Sequence, residues 1–319
     1  TMKSIQNLGS IVALALLSGV TWAQNLSIAT GGTGGVYYPY GGGLAAVLSK
    51  NIPGVAATAE VTGGSVDNLK LVGSGKPYVG FSMSDAAQDA FKGEDKFKSG
   101  KVAVRTLAVL YPNRMHVVTV DGTGITKMSD LKGKRVSTGA PNSATQIMAY
   151  RVLEAYGIDP EKDIIRERLD PGKSVDAIKD KKLDAFFWVG GVPTAAVTEL
   201  AATPGLKLKL IDHDDGVAAM NKIYGPLYVR DVIPSKAYPG QDQVNRIATV
   251  WNVLVARADT PDQVAYDIVR TIFERKAEME RVHPESRNFD YKYQTNAAAV
   301  IPFHPGAVKY FAEKGVKLQ

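Results

Sequence analysis

From residue 26 onward the chain repeats one pattern. A short apolar run leads into a turn of small or polar residues, then a stretch whose apolar positions recur three and four apart. This predicts a strand at 26–30, the turn Gly31-Gly32-Thr33-Gly34-Gly35, which only glycines are expected to accept, and a helix over 37–50. Pro39 falls in the first turn of that helix, where a missing N–H does no harm. A strand at 55–61 runs into Thr62-Gly63-Gly64-Ser65, with Ser65 the expected N-cap of a helix carrying Val66, Leu69 and Val72 on one face. A strand at 78–82, a helix opening at Ser84-Asp85, and a longer strand at 102–110, followed by Tyr111-Pro112-Asn113, complete this series.

A second series follows. Strands are expected at 116–120 and 135–138, then the turn Gly139-Ala140-Pro141-Asn142 and a helix over 143–156. A strand at 164–168, a helix from Ser174, an apolar strand at 184–189 ending in Gly190-Gly191, a helix after Pro193 and a strand at 207–211 come next. Such alternation implies an α/β fold with mainly parallel sheets covered on both faces. The two series also echo each other. Ser65-Val66-Asp67-Asn68-Leu69-Lys70 precedes Val79-Gly80-Phe81, as Ser174-Val175-Asp176-Ala177-Ile178-Lys179 precedes Ala185-Phe186-Phe187. Two similar lobes, each with its own sheet and a cleft between them, are therefore expected. A further long strand at 246–257 is followed by Thr260-Pro261-Asp262 and an amphipathic helix to about residue 280. Long segments near 103–118 and 246–257 would carry the chain between lobes and back. They divide it into 24–112 plus 257–319 and 113–256, with a hinge at the crossovers.

Residues 2–23 read differently: Lys3, an apolar run at 11–17, then Thr21-Trp22-Ala23, which approximates a small-x-small cleavage site. That is the layout of a cleaved secretory signal starting at Met2, and its apolar run is too short to span a bilayer. The mature chain is expected from Gln24, exported to the periplasm and soluble. The formal charge of +6 over 319 residues falls to +5 without Lys3, and its basic residues are scattered, so nucleic acid is not an expected partner. Cysteine is absent, which excludes disulfides, cysteine-ligated metal and a thiol nucleophile. The four histidines, His116, His213, His283 and His304, show no metal-ligand spacing, and neither metal nor cofactor is expected.

The glycine-rich turns carry the candidate chemistry. Backbone N–H groups at a helix start lack partners, the helix dipole adds positive charge there, and glycine lets a ligand come close. The turn at 31–35, Thr62-Gly63-Gly64-Ser65 and Asn142-Ser143-Ala144-Thr145 would converge on one cleft beyond the carboxyl ends of the strands. Such a site suits a small carboxylate without an arginine. Each motif has a plain structural use as well: glycines make tight turns and serines cap helices. Trp188 and Gly190, at a strand's carboxyl end, offer a wall for the cleft. The dinucleotide fingerprint fails because Tyr37 stands where its third glycine belongs. Gly172-Lys173-Ser174 lacks the upstream glycine of a P-loop, and Gly80-Phe81-Ser82-Met83-Ser84 breaks the nucleophile turn at its last position. A binding protein therefore explains more than an exported α/β enzyme, with a surface antigen lacking any small ligand as a third alternative.

Several runs in order carry a resemblance: Gly32-Thr33-Gly34-Gly35-Val36-Tyr37-Tyr38-Pro39, Thr62-Gly63-Gly64-Ser65-Val66-Asp67-Asn68-Leu69, Ser84-Asp85, Asp130-Leu131-Lys132-Gly133-Lys134-Arg135-Val136, Leu183-Asp184-Ala185-Phe186-Phe187 and His304-Pro305-Gly306-Ala307. They resemble the TAXI family, the solute receptors of TRAP-type secondary transporters, across essentially the whole mature chain. The resemblance implies a two-lobed periplasmic-binding-protein type II fold. It also implies capture of a glutamate- or glutamine-like amino acid or a 2-oxoglutarate-like dicarboxylate, delivered by a monomeric receptor to a TRAP membrane permease. Carried onto this chain, the ligand-facing residues would be Thr33, Gly34, Tyr37, Ser65 and Ser84 in the first lobe and Ser143, Thr145 and Trp188 in the second, with Gly190 beside Trp188. His304 would line the site or brace the last helix; Arg114 would meet a ligand carboxylate or form a hinge ion pair.

Overall fold

A computed structural model describes residues 24–319 apart from Pro77; the expected signal segment at 2–23 lies outside the described residues. The chain runs β1 (Gln24–Ala29), α1 (Tyr37–Asn51), β2 (Val55–Glu60), α2 (Ser65–Gly73), β3 (Tyr78–Met83), α3 (Ser84–Lys92) and β4 (Val104–Val120). It continues through β5 (Arg135–Ser137), α4 (Ala144–Ala155), β6 (Ile165–Glu167), α5 (Pro171–Lys179), β7 (Ala185–Gly190), α6 (Ala195–Ala201) and β8 (Leu208–Leu210). The last part holds α7 (Val217–Tyr224), β9 (Val229–Ile233), β10 (Asn245–Arg257), α8 (Asp262–Glu274), α9 (Lys276–Glu280), α10 (Asn296–Ala299) and α11 (Pro305–Glu313).

The strands form one continuous sheet, ordered β2-β1-β3-β10-β4-β7-β5-β6, with β8 beside β4 and β9 beside β10. The expectation of two separate sheets is corrected here: the long antiparallel strands β4 and β10 weld the two together. Each wing is parallel, as expected (β2-β1-β3 and β7-β5-β6), and only the middle is antiparallel. One end of β10 pairs with β3 and one end of β4 with β7, so each long strand serves one wing with one of its halves. The two wings thus repeat one topology with β4 and β10 exchanging roles, a two-lobed α/β arrangement. The internal echo is real in this sense: α2 feeds β3 and α5 feeds β7, and both strands lie next to a crossing strand.

The strands expected at 102–110 and 116–120 form one strand, and Pro112 lies within it. It faces Trp251 where the β4–β10 register shifts before Val253. A bulge is where a ladder tolerates a residue without an N–H. The wings are packed on both faces by helices. In α1, Tyr40, Leu44, Val47 and Leu48 are buried, and in α8 Ile268, Val269 and Ile272 are. The single amphipathic helix expected up to residue 280 is divided at Arg275 into α8 and α9. Among the described residues no helix is long and apolar enough to cross a membrane.

Candidate functional site

The carboxyl ends of the parallel strands of both wings open onto one cavity of about 200 Å³. Four helix starts reach it: Val36 and Tyr37 at α1, Gly64 and Ser65 at α2, Ser143 to Thr145 at α4, and Asp170 with Pro171 at α5. The α2 and α4 ends face each other closely. Gly64 adopts a left-handed φ of 112°, and a Cβ there would lie 3.5 Å from the Ser143 side chain. The loop before α1 reaches across as well, the Gly34 carbonyl accepting the Ala196 N–H of α6 at 3.3 Å. The two wings therefore meet around the cavity.

Not every polar group in the lining is free. The Ser143 hydroxyl caps α4, accepting from Gln146 N–H and donating to the Ala140 carbonyl at 2.7 Å. Thr62 donates to Asn68 Oδ1 at 2.6 Å, and Asn68 in turn donates to the Thr30 and Phe81 carbonyls, tying the ends of β1 and β3 together. The Trp188 indole N–H donates to Thr194 Oγ1 at 2.9 Å. Ser65 and Thr145 stand differently. The Ser65 hydroxyl accepts the Met83 N–H at 3.1 Å and that of Thr145 accepts the Val189 N–H at 3.4 Å, so each keeps its own proton as a donor. The Tyr37 hydroxyl donates to Asn252 Oδ1 at 2.9 Å, and burial raises it above the usual phenol range, so it stays neutral. The first N–H groups of α2 and α4 precede any intrahelical acceptor and add backbone donors.

Among the described residues the lining carries no lysine, arginine or histidine, and its one charged side chain is Asp170. Asp170 caps α5 by accepting the Lys173 N–H at 2.9 Å and pairs with the exposed Lys173 ammonium at 3.5 Å. The rest is apolar surface, chiefly Val36, Met83, Leu169, Trp188 and Val189. Trp188 is closely fitted: a Cβ on Gly35 would meet its ring at 2.8 Å and one on Gly190 at 2.7 Å. Behind the cavity, Arg151 of α4 is buried against α3, 2.7 Å from Asp89 and 3.8 Å from Asp85, and Tyr228 donates to Asp85 at 2.7 Å. Burial raises both carboxyls, that of Asp89 to about 7.

The sequence matches the NMT1-like family over residues 28–315. The chain belongs to the NMT1-like family. This NMT1-like protein shares its fold with solved binding proteins. A binding component of a phosphonate ABC transporter from Pseudomonas aeruginosa is 13% identical, with 84% of this chain and 80% of that one covered at a TM-score of 0.53. The periplasmic binding protein BugD is 11% identical over 93% of this chain and 98% of its own, at 0.51. A putative L-cystine ABC transporter protein from Listeria monocytogenes is 15% identical over 83% and 96%, at 0.50.

In this NMT1-like chain, Tyr37, Ser65, Ser143, Thr145, Trp188 and Gly190 come together at the cavity, whereas Thr33, Gly34 and Ser84 do not line it. Thr33 is exposed, and the Gly34 carbonyl is taken by the contact with α6. Ser84 is buried in the first turn of α3, and the preceding Met83 takes the lining place. Ser65 is no N-cap: Gly64 holds that position, and the Ser65 hydroxyl binds β3 instead. The glycines at 31–35 have no left-handed φ among them, so Gly35 is needed for space rather than for its backbone angle. Arg114 lies outside the lining, bound to Asp231 at 2.9 Å and Glu285 at 3.1 Å. His304 is buried as the N-cap of α11. Asp170 escaped the sequence reading because α5 begins three residues before Ser174; Asp170-Pro171 is itself a helix-start signal.

Proposed function

We propose that the protein is an extracytoplasmic solute receptor that captures a small carboxylate-bearing solute by closing its two lobes and hands it to a membrane transporter. The observation that carries this reading is the convergence of helix starts from both wings on one small cavity. A ligand held there touches both halves at once, and contacts made only when the halves meet shift the population toward the closed form. The moving bodies are 24–112 with 257–319 and 113–256, hinged where β4 and β10 cross. Signal-directed export places the receptor in the periplasm. The TAXI-like motifs point to a TRAP-type permease as the recipient, and the solved neighbours named for phosphonate and cystine transport support the wider receptor class.

Ligand capture leaves the solute unchanged, and this separates the reading from an exported enzyme. The protein purified under native conditions is expected to release a small carboxylate on denaturation, identified by mass spectrometry. Adding that compound back at a hundred times its dissociation constant stabilises the fold by about 2.7 kcal/mol, seen as a raised melting temperature. Conversion of the compound on incubation, or no thermal shift with any amino acid or organic acid, refutes the receptor.

A further inference from the structure

The charge and shape of the cavity narrow the solute, given the receptor reading. We infer that the ligand carries one carboxylate on an otherwise apolar body, as a neutral aliphatic amino acid or the corresponding 2-oxo acid does, and that a second carboxylate is excluded.

The first ground is electrostatic. Each helix start presents about half a positive charge, so the four around the cavity supply about two. Asp170 sits on the α5 start and Asp67 in the first turn of α2, where it accepts the Gly63 N–H at 3.1 Å. Asp67 offsets part of that field at α2, and Asp170 offsets part at α5, less than fully because Lys173 pairs with it at 3.5 Å. The remaining donors are concentrated where α2 and α4 face each other, with the Ser65 and Thr145 hydroxyl protons beside them. That is one anion-sized cluster of donors. Among the described residues no cationic side chain lines the cavity to meet a second anion, and a carboxylate enclosed without a partner is strongly disfavoured.

The second ground is the remaining surface. Val36, Met83, Leu169, Pro171, Trp188 and Val189 enclose the space away from those donors. Trp188, held by Thr194 and wedged between Gly35 and Gly190, has no room to turn aside for a larger or hydrated group. At about 200 Å³ the cavity lies below the ~300–1,000 Å³ common for ligand clefts, which fits a solute of amino-acid size.

Isothermal titration of the full mature chain, stripped of co-purified solute by reversible unfolding, tests this with four probes of similar length. They are leucine, 4-methyl-2-oxopentanoate, glutamate and 2-oxoglutarate. Leucine or 4-methyl-2-oxopentanoate is expected to bind at least about a hundredfold more tightly than either dicarboxylate. Asp170→Asn keeps a capping side chain and removes the charge. It is expected to weaken leucine binding if an ammonium lies at Asp170 and to strengthen binding of the oxo acid, and either result supports a single-carboxylate ligand. Glutamate or 2-oxoglutarate binding as tightly as the apolar probes overturns the inference while leaving the receptor intact. Failure of every carboxylate overturns both.

Discussion

Between Gly35 and Gly190 the indole of Trp188 is fixed from both sides, and Gly35 comes from the opposite wing. A methyl group at position 35 would press on the ring only when the wings meet. Overpacking of this kind costs about 1–3 kcal/mol. Gly35→Ala is therefore expected to weaken solute binding by about five- to a hundredfold while leaving the melting temperature of the ligand-free protein nearly unchanged; titration calorimetry and a thermal melt check the two halves of the statement. At this scale the sequence located turns that border the cavity but not which way each side chain points. Ser65 and Ser84 read alike, each opening a helix after a strand or turn. Yet Ser65 lines the cavity and Ser84 does not. Direction depends on the half-turn that separates Met83 from Ser84, and residue type does not encode it.

Elements were more legible than residues, because a periodic apolar face is a property of many positions at once. The strands and helices that build both wings were readable, including the repeated passage from helix into strand. The segment joining β8 to β10 was not: α7 and β9 are short, and β9 exposes Val229 and Val232, so no burial pattern marks it. His213 anchors this segment. Its backbone N–H binds the Arg246 carbonyl, its Nδ1–H donates to the Ile211 carbonyl, and its Nε2 accepts the Ala248 N–H of β10 at 3.2 Å. A proton on Nε2 would set two donors against each other, and burial lowers the imidazole from 6.5 to about 4. The native state then refuses a proton that the unfolded chain accepts, so this contribution is intact above pH 6.5 and is lost as pH falls toward 4. The buried carboxyl of Asp89, raised to about 7, acts with the opposite sign over much of that range, so a difference measurement is needed. Relative to His213→Asn, the wild type should lose roughly 3 kcal/mol of unfolding free energy between pH 7 and pH 4, measured by urea denaturation. A parallel pH profile for the two proteins contradicts the assignment.

Across the whole molecule, further contacts hold the wings together besides the cavity. Arg151 grips α3 from α4, and Glu285 accepts the Val192 N–H at 2.6 Å while pairing with Arg114 on the crossing strand. Both lie far apart in sequence from their partners, which is why no motif announced them. Arg114, read from sequence as either a ligand contact or a hinge ion pair, is ion-paired: Asp231 and Glu285 occupy its guanidinium. The same geometry makes closure measurable. If contacts to both wings are what bind the solute, the free protein spends much of its time with the wings apart. Small-angle X-ray scattering with and without saturating solute is the direct measurement. The radius of gyration should fall on binding to the value calculated from this structure, in which the wings meet around the cavity. Identical scattering curves, with solute demonstrably bound, would contradict capture by closure.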